Sequence, residues 1–115
     1  MLDPNCIFCK IAQGDIPAEK IYDDGTVFAI RDINPKAPTH VLVIPYEHVE
    51  ALSDADPALA AAAARCFEVA PGIARDLGVA ETGYRLIANQ GLDSGQEVPH
   101  FHLHILAGRR LGSMG

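Results

Sequence analysis

The apolar positions of the chain change period along its length, and that change predicts the elements. Short apolar runs come first: residues 20–22 and 26–31, separated by Asp23-Asp24-Gly25, read as two strands joined by a tight turn, because Asp and Gly tolerate positive φ. Residues 33–38 carry two prolines and an asparagine and predict a loop. The run VLVI at 41–44 predicts a buried third strand ended by Pro45. The pattern then becomes helical. Residues 57–77 are rich in Ala, Leu and Arg, with Ser53 and Asp54 as N-cap candidates and Gly78 placed to terminate the helix. Pro71-Gly72 falls inside it and predicts a kink or short break, since proline removes one hydrogen bond and crowds the preceding turn. Residues 84–88 and 99–107 predict two more strands, separated by the loop NQGLDSGQEV. The order β, β, β, α, β, β describes an α+β domain with a mostly antiparallel sheet of about five strands and one long helix.

Composition narrows the partners. A chain of 115 residues, 49% of them hydrophobic, suffices for one core and is short for two domains. Its formal charge of −6 opposes binding to a nucleic-acid backbone, so the expected partner is a small molecule or a protein. The apolar stretch at 57–64 is far short of the ~20 residues a membrane span needs, so no membrane partner is expected. The start, MLDPNCIFCK, has neither the basic nor the apolar region of a secretory signal; cytoplasmic, reduced cysteines are expected.

Three of the five histidines lie at His100, His102 and His104. On a strand such alternation sends the imidazoles to one face and Phe101, Leu103 and Ile105 to the other, which would pack on the helix. A merely solvated face would mix Lys, Thr, Glu and Ser, so the repeat points to a site. Either a metal centre or nucleophilic catalysis could use it. The preceding loop favours the second: Asn89 and Gln96 donate without adding charge, and Gly91 and Gly95 would let backbone N–H groups approach phosphate oxygens. Alone, that loop reads rather as a hairpin connection whose amides satisfy its own backbone; beside three histidines the phosphate reading leads.

GQEVPHFHLHILAGR resembles the His-x-His-x-His signature of the histidine triad (HIT) family, particularly its nucleotide-binding branch. IFCKIAQGDIPAEKIYDDG, RDINPKAPTHVLVIPYEHV and NQGLDSGQ are similar to the family's other segments in the same order, so the resemblance spans nearly the whole chain. It implies a single HIT domain over residues 1–115, a short N-terminal helix, and a homodimer whose two sheets join into one. It also implies a purine nucleotide cleft in each protomer. His102 would be the nucleophile at the α-phosphorus, giving a nucleotidyl-histidine that water then hydrolyses, with no cofactor required for catalysis. His100 and His104, with Asn89 and Gln96, would hold phosphate oxygens. Asp32 matches the family's ribose-binding carboxylate, although its place before Asn34-Pro35 also suits a turn. Ile7, Phe8, Ile11 and Ile30 resemble the walls of the base pocket, a role ordinary core would mimic. The activity implied is hydrolysis of purine nucleoside 5′-phosphoramidates or acyl-nucleotides; the alternatives are a dinucleoside polyphosphate hydrolase and a nucleotide-binding regulatory protein with incidental hydrolysis. One departure is Glu97, where well-known members of that branch carry a serine.

Cys6 and Cys9 have the spacing of a zinc-binding pair. By the same resemblance, His48 and His100 would complete a structural zinc site; two plain reduced thiols are the equal alternative. A thioredoxin-like redox pair should follow a strand, and none is predicted before Cys6. Cys66 reads as a buried small hydrophobe, and His40 as either a hydrogen-bonding residue behind the histidine strand or a buried structural histidine.

Overall fold

In the computed structural model of the chain, which describes residues 3–115, two helices pack on one antiparallel sheet of five strands. In chain order these are α1 (Ile7–Gln13), β1 (Tyr22–Asp23), β2 (Val27–Arg31), β3 (Thr39–Pro45), α2 (Pro57–Asp76), β4 (Tyr84–Ala88) and β5 (Leu103–Ala107). The strands lie in the order β1-β2-β3-β5-β4, so β3 and β5 form the centre and β4 an edge. The Asp-Gly turn works as its residues dictate: Asp24 Oδ1 accepts from Thr26 N–H and Val27 N–H, both at 2.9 Å, and Gly25 takes φ 84°.

The two-residue period of each strand sorts the side chains by face. Val27, Ala29, Val41, Val43, Leu103 and Ile105 point to one side, where they pack with Ala63, Cys66, Val69, Ala70 and Ile73 of α2. Phe28, Ile30, Leu42 and Ile44 point to the other and meet Phe8, Cys9 and Ile11 of α1. Phe101 joins the α2 side, as the alternation at 101, 103 and 105 predicts.

Three expectations are corrected. Asp56, and not Ser53 or Asp54, caps α2, its carboxylate accepting from Leu59 N–H at 2.9 Å; Ser53 and Asp54 sit in a separate 3-10 turn, Leu52–Asp54. Pro71 does not interrupt α2, which continues to Asp76. Its buried face recurs at Ala62, Ala63, Cys66, Val69, Ala70, Ile73 and Ala74, so packing on both sides of Pro71 outweighs the lost hydrogen bond. The last strand starts at Leu103 and not at 99, which leaves His100 and His102 on an irregular segment outside the ladder, where His100 N–H bonds back to the carbonyl of Val98. Among the described residues, no helix is long and apolar enough to cross a membrane.

Candidate active site

Antiparallel pairing carries the histidines to the α1 side of the sheet. On β5, His104 pairs with Leu42 of β3 and Ile87 of β4. His40, two residues before Leu42, is its diagonal neighbour, and the two rings lie 5.2 Å apart. A cleft of about 770 Å3 opens over this face. His102, His104 and His40 line it together with Asp32, Asn89 and Glu97, and its apolar wall includes Ile7, Phe8, Ile11, Ile30 and Leu42.

Hydrogen bonds fix the tautomer of each ring in turn. His102 Nδ1 lies 2.8 Å from the carbonyl of His100, which can only accept, so Nδ1 carries the proton and Nε2 keeps its lone pair. His40 Nδ1 accepts from Lys36 N–H at 3.0 Å, so His40 Nε2 holds its proton. That N–H donates to His104 Nδ1 at 2.9 Å, with Asp32 Oδ2 3.4 Å away. His104 must then carry its own proton on Nε2, as a donor. Burial pulls His104 down to about 4, reinforced by the neighbouring His102 and His40, and burial lowers His40 as well, against the pull of Asp32. Both rings are therefore neutral near pH 7.

A second cluster lies behind the first. Cys6 Sγ, Cys9 Sγ, His48 Nδ1 and His100 Nδ1 all fall within 4.8 Å of one another. Cys6 is the N-cap of α1, and its sulfur accepts from Cys9 N–H at 3.5 Å. His100 is 0% exposed; its Nε2–H donates to the carbonyl of Pro45 at 2.9 Å, which turns the bare Nδ1 toward both sulfurs. Burial drops His100 to about 4, leaving it neutral. The nitrogen–nitrogen separation is 3.1 Å and the sulfur–nitrogen separations are 3.2, 3.3 and 3.5 Å. Ligands about a tetrahedral zinc stand roughly 3.3–3.8 Å apart, so this donor set fits the ion. Asp32, His40 and His104 also come within 4.8 Å, yet they fit poorly: a metal would need the lone pair of His40 Nε2, the atom that Lys36 N–H obliges to be protonated.

Residues 13–111 match the HIT domain family. The chain belongs to that family. Among its relatives, a HIT-like protein of Azospirillum brasilense is 46% identical over 113 residues, covering 97% of this chain and 93% of its own. The purine nucleoside phosphoramidase of Escherichia coli is 46% identical over 108 residues, covering 94% and 91%. A histidine triad protein from Clostridium difficile superposes with a TM-score of 0.93 at 44% identity, each chain fully covered. A HIT family hydrolase from Clostridium thermocellum gives 0.90 at 44%, with 96% of each covered.

The HIT signature thus divides between two sites. His102 and His104 face the cleft, whereas His100 gives its ring to the cysteine cluster and lies outside the cleft wall. Asp32 Oδ1 accepts from Asn34 N–H at 2.8 Å within a turn, and the residue also lines the cleft. Gln96 turns into its own loop, where Oε1 accepts from Gly91 N–H at 2.9 Å and the Nε2 group is buried with no partner among the described residues. The N–H groups of both loop glycines are engaged within the loop, Gly91 with Gln96 Oε1 and Gly95 with the carbonyl of Leu92 at 3.0 Å, which matches the alternative reading of a connection that satisfies its own backbone. Two contributors escaped the sequence reading, the carbonyl of Pro45 and Gln90, whose Oε1 accepts from Leu52 N–H and ties the loop to the start of the α2 region.

Proposed function

We propose that this HIT protein hydrolyses purine nucleoside 5′-phosphoramidates or acyl-nucleotides through a nucleotidyl-histidine intermediate on His102. The observation that carries the reading is the 2.8 Å bond from His102 Nδ1–H to the His100 carbonyl, which leaves the Nε2 lone pair free for attack. In the first step Nε2 bonds to the α-phosphorus as the bond to the leaving group breaks, a nitrogen departing as an amine with a proton taken from solvent and an acyl oxygen as a carboxylate. In the second, water attacks phosphorus, the P–N bond to His102 breaks, and a nucleoside monophosphate departs. His104 Nε2–H donates to a phosphate oxygen as charge builds there, and Asn89 supplies a further neutral donor on the same wall. Asp32 accepts from the ribose hydroxyls, and Ile7, Phe8, Ile11 and Ile30 sandwich the base. The phosphoramidase of E. coli, 46% identical, supports the substrate class.

Cys6, Cys9, His48 and His100 are proposed to hold a structural zinc, which would tie the start of α1 to the segments before and after the long helix. A homodimer is proposed as well: β4 is an edge strand with one side unpaired, available to continue the sheet into a second copy.

The test is intact-protein mass after brief mixing with an adenosine 5′-phosphoramidate and denaturing quench. An adenylyl adduct on the wild type and none on His102→Ala is expected. Turnover to AMP with no adduct on either protein would overturn the covalent mechanism; no AMP release over hours would overturn the activity.

A further inference from the structure

The two clusters of chemistry-bearing side chains share one residue. His100 gives its ring to the cysteine cluster, 3.3 Å from Cys6 Sγ and 3.1 Å from His48 Nδ1, and its backbone carbonyl to His102 Nδ1–H at 2.8 Å. The sheet does not fix this peptide, because β5 begins only at Leu103. Its position depends on His100 N–H to Val98 O at 2.8 Å, on Phe101 N–H to Val49 O at 2.6 Å, and on the anchored ring. Phe8, between the two cysteines, stands edge-on to both His100 and His102, with ring centroids 5.7 and 5.0 Å apart, and also lines the cleft.

We infer that occupancy of the Cys6–Cys9–His48–His100 site by a thiolate-binding divalent metal positions the nucleophile, so that the site controls turnover in the cleft as well as stability. His100 acts here as a positioning residue. The inference rests on the proposed function, with His102 Nε2 as the attacking atom.

The chemistry of the four donors gives the reason. A bound cation accepts one lone pair from each of the four donors at once. Without it, the bare His100 Nδ1 has only His48 Nδ1–H or a weakly donating thiol as partners, and Cys9 Sγ, 3.2 Å from His48 Nδ1, competes for the same proton. The ring of His100 is then held firmly by Pro45 alone. A shift of its peptide lengthens the bond to His102 Nδ1–H and lets His102 take the other tautomer. In that tautomer Nε2 carries the proton and cannot attack.

The experiment compares the full-length protein loaded with zinc, stripped by chelator and reloaded. It follows kcat and KM on an adenosine 5′-phosphoramidate together with the His102 Nδ1–H resonance in 15N-histidine-labelled protein. Stripping is expected to broaden or abolish that resonance and to lower kcat by about 10–100-fold with KM little changed, and zinc should restore both. Amide NMR dispersion reports whether the stripped protein stays folded. If it unfolds, His48→Gln, which removes one ligand outside the cleft wall, replaces stripping and should give the same paired loss. A folded, metal-free protein that keeps its kcat and its His102 resonance would overturn the inference, as would failure to bind zinc stoichiometrically. If no form turns over substrate while the resonance still follows the metal, the positioning stands and the proposed activity falls.

Discussion

His40 sets the protonation pattern of the neighbouring His104 ring. Its Nδ1 takes Lys36 N–H, so its Nε2–H must point at His104, and His104 in turn must present Nε2–H to the cleft. His40→Ala removes that instruction while leaving His102, the proposed nucleophile, in place. We expect kcat to fall about 10–100-fold with the adduct on His102 still detectable in the quench assay, and His40→Asn to recover part of the loss. Glu97 places a carboxyl group on the wall of the cleft proposed to take a phosphate. Glu97→Gln should lower KM for substrates with an anionic leaving group and leave it nearly unchanged for those with a cationic amine, a difference that should shrink as salt rises. Steady-state kinetics on one substrate of each kind checks this. At this scale the sequence displays which residues carry chemistry but not where each ring nitrogen points. The alternation of His102 and His104 is visible in the chain. The partners that fix their tautomers are not, because the His100 carbonyl and Lys36 N–H belong to backbone whose course depends on the finished fold.

Among the elements, α2 departs furthest from its local reading. Its sequence asks for a kink or short break at Pro71, and the helix runs through without a break. Burial explains it: Val69 and Ala70 precede the proline on the sheet-facing side, Ile73 and Ala74 follow it, and a break would pull one pair off the core. Pro71→Ala should therefore stabilise the protein by about 1–3 kcal/mol, read as a raised urea midpoint with unchanged slope. Strand faces were legible because a two-residue period needs no knowledge of partners. The end of β5 nearer the histidines was not: residues 99–102 alternate as a strand would, but the His100 ring is drawn to the cysteines and this segment leaves the ladder. A long-range cluster overrides a local pattern there.

For the whole molecule, acid should be the sensitive direction. His104 and His40 titrate near 6.5 when unfolded and lower when folded, to about 4 for His104. The folded state then binds fewer protons than the unfolded state between those values. Its stability is fully present above pH 6.5 and declines as pH falls toward 4. Urea midpoints at pH 7.5, 6 and 4.5 should decrease in that order, and a flat series would count against the buried neutral pair. The order of the sheet was beyond the sequence, since β3 and β5 pair across the whole of α2 and β4. The fold class was within reach, because alternation and one long helix leave few ways to bury both faces. Cys66 lies 0% exposed on the sheet-facing side of α2, its thiol pushed up to about 12 by burial. A thiol reagent cannot reach it until the helix lifts from the sheet, so the labelling rate of Cys66 measures how often the entire domain opens, a built-in gauge that needs no engineered probe.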